Sequence, residues 1–249
     1  MDASPLGSVD KALLALDTLA GFGAAGAPLA VLAQAVGVSK PTLHRTLSAL
    51  RHRGYAEQTP GGTYRLGPAA VALGSTYLAE ENLPALLHPA LTALSEKTEE
   101  LVHLGVLAGR EVVYLDKVEP QRAVRVWSAV GRRRAAATTA LGRALLSVQD
   151  LDEAALARFA GTDTSTRQLR GALDGARASG IADETEENEA GIACIAVPLL
   201  RAGRAVAAVS ITAPVERLTG DARDERVAAL REILPSLLPA ALTVPPATT

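Results

Sequence analysis

Between Leu29 and Leu66 the apolar residues change period twice, and the order of those changes describes a structure. Leu29, Leu32, Ala33 and Val36 fall three and four apart, which predicts a short helix. Gly37 stops it, because a left-handed backbone is cheap for glycine. Ser39 is placed to cap a second helix, and Pro41 fits the first turn, where the amide it lacks has no helical partner. Leu43, Leu47 and Leu50 form one seam of that helix, and Gly54 ends it. At about 100° per residue, Pro41, Arg45, Ser48 and His52 face away from the seam, with Thr42 and His44 on its flanks. Tyr55–Gln58 and Thr63–Leu66, joined through Pro60-Gly61-Gly62, read as a β-hairpin. Helix, glycine turn, helix and hairpin make a winged helix-turn-helix, whose second helix suits the major groove of DNA.

The rest of the chain frames this unit. Residues 1–7 read as disordered, and Ser8 starts a helix to about Ala20 with Val9, Ala12, Leu13, Leu16 and Leu19 on one face. Gly21 to Ala27 reads as a loop. Past the hairpin, Leu66-Gly67-Pro68 breaks the strand, and Pro68 to about Leu78 is a helix carrying Val71, Leu73, Gly74 and Leu78. Pro84 to Thr98 is another, offering Leu86, Leu87, Leu91 and Leu94 to a core. The pattern then turns mixed. Strands are expected at Leu101–Leu107, Glu111–Lys117, Ala123–Trp127, Ala193–Leu200 and Ala205–Ala213. Helices are expected at Thr139–Val148, Asp150–Ala160 (capped by Ser147 or Asp150), about Ser165–Ser179, and about Asp221–Leu238. The fold class is therefore α+β: a winged helix-turn-helix in residues 1–67, a linker helix in 68–79, and a mixed sensor domain in 80–249.

Charge separates the two ends. The net charge of −2 does not announce a nucleic-acid binder. Residues 1–67 nevertheless carry six Lys/Arg against four Asp/Glu, while the remainder carries nineteen against twenty-three. The sign suits DNA contact by the first domain alone, and its small size favours binding as a dimer. The single cysteine, Cys194, excludes an internal disulfide and a multi-cysteine zinc site. No stretch is apolar enough to span a bilayer and no signal-peptide pattern opens the chain, so a cytoplasmic protein without membrane association is expected. Aromatic residues make up only 3% of the chain, beside abundant alanine and arginine, a bias that points to a GC-rich genome more than to any activity.

Several ordered blocks resemble the IclR family of bacterial transcriptional regulators. They are Ser8-Val9-Asp10-Lys11-Ala12-Leu13, the Gly37–Arg45 block, and Gly54-Tyr55 with Tyr64-Arg65-Leu66-Gly67. Val113–Val118, Thr139–Leu146 and Glu187–Pro198 continue the match along nearly the whole chain, and a Glu four before a Gly with Cys-Ile-Ala-x-Pro behind it is specific to the family. The resemblance implies a C-terminal domain similar to a GAF-type sensor, dimerisation chiefly through the DNA-binding part, and association as a dimer of dimers. It also implies a repressor or activator of double-stranded operator DNA, with a repressor preferred here, responding to a small organic acid or aromatic effector.

Site residues follow. For DNA they are Ser39, Lys40, Pro41, Thr42, His44, Arg45 and Ser48, with Arg65 in the wing. Arginine pairs in bidentate fashion with guanine, although a charged helix face is also compatible with mere solvation. For the effector, the family pocket falls on Ala140, Leu141, Glu184, Cys194, Ser210 and Thr212. The start of the helix near Thr139 favours an anion, and Ser210 and Thr212 share one strand face, with solvent exposure or strand pairing as the plainer alternative. Ala135-Ala136-Ala137 departs from the Pro-Leu-His-like segment common in the family, and Glu184 stands where aspartate is frequent. The Asp183–Glu189 run reads mostly as a solvated loop, Arg132-Arg133-Arg134 as a surface or interface feature, and Cys194 as a small buried residue. No catalytic residue, cofactor or metal site is expected. A thiol-based redox enzyme lacks a resolving cysteine, no serine or cysteine nucleophile motif accompanies His88 or His103, and a protein-binding adaptor remains the other alternative.

Overall fold

The computed structural model describes residues 7–80, 82–122, 126 and 128–246, and divides into two compact units, residues 1–82 and 83–249. The expectation of disorder at residues 1–7 lies outside the described residues except for Gly7, which opens the first helix.

The first unit runs α1 (Gly7–Gly21), a 3-10 turn (Gly23–Ala25), β1 (Ala27–Pro28), α2 (Leu29–Val36), α3 (Lys40–His52), β2 (Ala56–Gln58), β3 (Thr63–Leu66) and α4 (Pro68–Glu80). Gly37 ends α2 at φ 75°, its amide bonding back to Ala33 and Gln34. Ser39 caps α3 by accepting from the Thr42 amide at 3.4 Å. Leu43, Leu47 and Leu50 point into a core shared with Ala15, Leu19, Leu32 and Tyr64. Two expectations are corrected. The stretch taken as a loop contains the 3-10 turn and β1, which pairs with β3 through Ala27↔Tyr64 and completes a small sheet ordered β1-β3-β2. On α1, only Ala15 and Leu19 are buried, while Val9 and Leu13 stay exposed because the core covers just the C-terminal half of that helix face.

The second unit contains α5 (Leu83–Thr98), β4 (Leu101–Ala108), β5 (Glu111–Val118), β6 (Arg133–Ala135), a 3-10 turn (Ala136–Thr138), α6 (Ala140–Ser147), α7 (Glu153–Ala160) and α8 (Thr166–Ser179). It continues through β7 (Ala182–Thr185), β8 (Ile192–Arg201), β9 (Arg204–Pro214) and α9 (Gly220–Leu237). Among the described residues the strands form one antiparallel sheet ordered β6-β5-β4-β9-β8-β7. Alternation sends Val102, Leu104, Ile195, Val197, Val209 and Ile211 into a core with α5 and α9. The opposite face packs Val112, Tyr114, Ala196 and Ala208 against α6 and α8. Past α9, Thr243 exchanges two backbone hydrogen bonds with Leu200 at 2.7 and 2.9 Å, and Leu242 is buried beside it.

Here too the structure corrects the pattern. Leu86 is 51% exposed, so the α5 seam is Leu83, Leu87, Leu91 and Leu94. Asp152, one residue before the helix, caps α7 in place of Ser147 or Asp150. Asp183 to Thr185 belong to β7 and not to a solvated loop. Arg133 and Arg134 lie in the edge strand β6 with Arg133 exposed, which agrees with the surface feature expected there. The strand expected at Ala123–Trp127 falls outside the described residues apart from Val126.

Candidate functional site

In the first unit α3 offers a solvent face built as its spacing implies. Lys40, Pro41, His44, Arg45 and Ser48 are exposed, and Thr42 is half-buried. Ser39 is also exposed, and its Oγ is engaged by Thr42 at both the amide and Oγ1, the latter at 2.9 Å. Arg65 in the wing is also engaged: its Nε donates to Glu57 at 2.5 Å across the register pair Glu57↔Arg65. Arg51 Nη1 similarly donates to Gln58 at 3.1 Å.

In the second unit the strand registers assemble a polar row on the α6 face of the sheet. Glu184 on β7 stands opposite Cys194 on β8, and Cys194 opposite Thr212 on β9. One step along, Ser210 stands opposite His103 on β4. Thr212 Oγ1 lies 3.3 Å from Cys194 Sγ and 3.4 Å from His103 Nδ1, while His103 Nε2 lies 2.7 Å from Ser128 Oγ. The Tyr114 ring stacks on His103 with centroids 4.7 Å apart. Ser210 and Thr212 are buried, which removes the solvent-exposed alternative for both. Glu184 is buried as well and accepts the amides of Glu187 and Asn188 at 2.8 and 3.0 Å.

Helix α6 lies over the apolar half of this face. Thr139 caps it by accepting the Gly142 amide at 3.2 Å. Ala140 and Leu141 open the helix, where backbone amides lack an intrahelical acceptor, and both belong to the cluster that contains Tyr114. A Cβ on Gly105 would come within 3.1 Å of Leu141 Cδ1, so Leu141 occupies the space above that bare strand position. Arg143 fastens the next turn: it donates to the carbonyls of Ala137 and Asp183, both at 2.9 Å, and forms a two-pronged pair with Glu187 at 2.8 and 2.5 Å.

Sequence blocks of the same order occur in known proteins. The family model for the helix-turn-helix domain of IclR matches residues 8–60, and the model described as the bacterial transcriptional regulator IclR C-terminal domain matches residues 75–236. The chain belongs to the IclR family. The HTH-type transcriptional regulator XynR of Escherichia coli is 35% identical over 239 residues, covering 91% of this chain and 92% of that protein. The glycerol operon regulatory protein of Streptomyces coelicolor is 36% identical over 235 residues, covering 90% and 92%. The crystal structure of Thermotoga maritima IclR matches with a TM-score of 0.64 at 26% identity, covering 93% of this chain and 97% of that one.

Within this IclR-family fold, sequence reasoning passed over His103, Tyr114, Ser128 and Arg143 as members of the site. The signal for the first was present: His103 sits between Val102 and Leu104, so a buried strand puts it on the face opposite theirs. Burial, reinforced by the positive charges of Lys117 and Arg132, pushes its pKa down to about 3. Burial pushes Tyr114 up to about 12 and raises both Glu184 and Cys194 above their ordinary ranges. A histidine with its pKa lowered in the fold is neutral in both states above pH 6.5. As pH falls below 6.5 the unfolded chain takes up a proton that the folded chain refuses, so stability is lost down to about pH 3. The second unit should therefore lose stability from pH 6.5 to 5 with a slope approaching about 1.4 kcal/mol per pH unit. Urea unfolding followed across that window in the wild type and in His103→Gln checks this: the substitution should flatten the slope, and an equal slope in both would assign it to other groups.

Proposed function

We propose that this chain is a transcriptional repressor that binds operator DNA as a homodimer through α3 and the wing, and that its second unit holds a small organic acid or aromatic effector. Support for the effector site rests on one observation. The α6 face of an otherwise apolar sheet buries a row of hydroxyl, imidazole and carboxyl groups, with the half-buried Cys194 thiol in line with them, at a core position where unpaired polar groups are costly. Ser210 and Thr212 orient a carboxylate or phenol, the opening amides of α6 at Ala140 and Leu141 favour negative charge, and Leu141 with Tyr114 contacts the carbon skeleton. Glu184 and Cys194 border the row and set its width. On the DNA side, Lys40, Pro41, Thr42, His44, Arg45 and Ser48 contact the groove. Arg65 contacts phosphate after exchanging its bond to Glu57.

Support for a dimer comes from apolar side chains left exposed in the first unit, Val9 and Leu13 on α1 and Val71 and Leu73 on α4. A dimer of dimers is the larger assembly we infer. The chain acts in the cytoplasm; no described helix is long and apolar enough to cross a membrane. An enzymatic role is disfavoured by the groups themselves. His103 is too weak a base to take a proton at neutral pH, and the Cys194 thiol is held protonated.

The test is a pair of substitutions in the row itself, with the melting temperature followed beside the binding. Ser210→Ala with Thr212→Val should abolish binding of carboxylic and phenolic compounds that calorimetry detects in the wild type, and with it the change in operator affinity, for which a coupling of about 1–3 kcal/mol is sufficient. Operator binding without effector should persist. A double variant that still responds to the compound would move the pocket elsewhere.

A further inference from the structure

The cations of the first unit are unevenly committed. On the wing side of α3, Arg51 is held by Gln58 and Arg65 by Glu57. On the opposite flank, α1 and α3 enclose a groove of about 420 Å³ lined by Ser8, Lys11, Ala12, Thr42, Arg45 and Thr46. Lys11 and Arg45 are both exposed, and among the described residues neither has an ion-pair partner. Two like charges facing one small concavity repel each other, and an anion placed between them removes that repulsion. The hydroxyls of Ser8 and Thr42 add donors of the kind that contact phosphate oxygens.

We propose that this groove seats a backbone phosphate of bound DNA, with Lys11 as its cation. The inference rests on the reading of the first unit as DNA-binding and adds a contact from α1, outside the helix-turn-helix. A helix lying in the major groove has a phosphate row on each side, and the wing serves one of them. The α1–α3 groove lies on the other flank of α3, beside Arg45, so a phosphate held by Lys11 fixes the depth at which Arg45 meets the bases. Lys11 is thereby a positioning residue whose contribution is independent of sequence.

Fluorescence anisotropy with the full chain tests this on two duplexes, one carrying the DNA upstream of the chain's own gene and one of random sequence, each titrated over a range of salt. Lys11→Gln should weaken binding to both by the same factor and reduce the salt slope by about one per head bound, and Lys11→Arg should restore both values. An unchanged salt slope overturns the proposal, whether affinity is kept or falls together with the melting temperature. A loss confined to the upstream duplex also overturns it, since that is the behaviour of a base contact. A wild-type chain that binds neither duplex overturns it together with the DNA-binding reading, whereas wild-type binding with a silent Lys11→Gln removes this contact alone.

Discussion

Gly142→Ala should lower the unfolding free energy of the second unit by about 3 kcal/mol or more, near or beyond the upper end for overpacked cores. A Cβ at this position would stand 2.2 Å from the Ala136 carbonyl oxygen and 2.3 Å from its Cα. Those atoms are backbone, so no rotamer change relieves the clash and the start of α6 must lift. The displacement would break the Thr139 cap and tilt Arg143 away from Ala137 and Asp183. Effector binding should weaken with stability, because Ala140 and Leu141 ride on the same turn. Gly175→Ala is the control. It lies within α8 with open space around the added methyl, and it should stabilise the unit by about 0.5–1 kcal/mol through helix propensity. Urea midpoints for the three proteins decide the matter, and a Gly142→Ala midpoint at or above wild type would mean that α6 seats with more room than these distances allow.

Arg45→Ala should remove most of the preference for operator over random DNA while leaving the fold intact. Arg45 is an exposed α3 residue turned away from the Leu43–Leu47–Leu50 seam, so truncation removes no core contact. A bidentate arginine–guanine contact discriminates by about 1–3 kcal/mol, which is roughly 5- to 150-fold per head. The measurement is the ratio of the two affinities at one salt concentration, and an unchanged ratio would take Arg45 out of the base-reading set. Ser39→Ala offers a contrast. Its hydroxyl already caps α3, so the expected loss is about 1 kcal/mol of stability and not of specificity.

The first unit was the more legible in sequence because its signals are local. Gly37, Ser39 and Pro41 fix the turn and cap within five residues, and the leucine seam needs no distant partner to be recognised. β1 was missed for the opposite reason: two residues become a strand only by pairing with Tyr64 and Thr63. The same logic holds in the second unit. Ser210 and Thr212 were recognisable by alternation, but the row they join depends on registers that bring positions 103, 184 and 194 beside them. Glu184 in particular sits in an acidic run whose composition says solvent, and it is buried because β7 pairs with β8. Exposed Val9 and Leu13 show the limit of helical periodicity, which marks an apolar face without saying what covers it.

The central pairing of the large sheet, His103 opposite Ser210, joins positions that are far apart along the chain, and the Thr243 bridge to Leu200 closes the unit with almost the last described residues. Synthesis proceeds from the N-terminus, so the winged helix has all its parts while β9 is still unmade. Until β9 emerges, β4 carries an open edge and α5 has only part of its apolar cover. A growing chain thus acquires a reader of DNA before it acquires the domain that governs it, and the governor is finished only once Thr243 has cleared the ribosome.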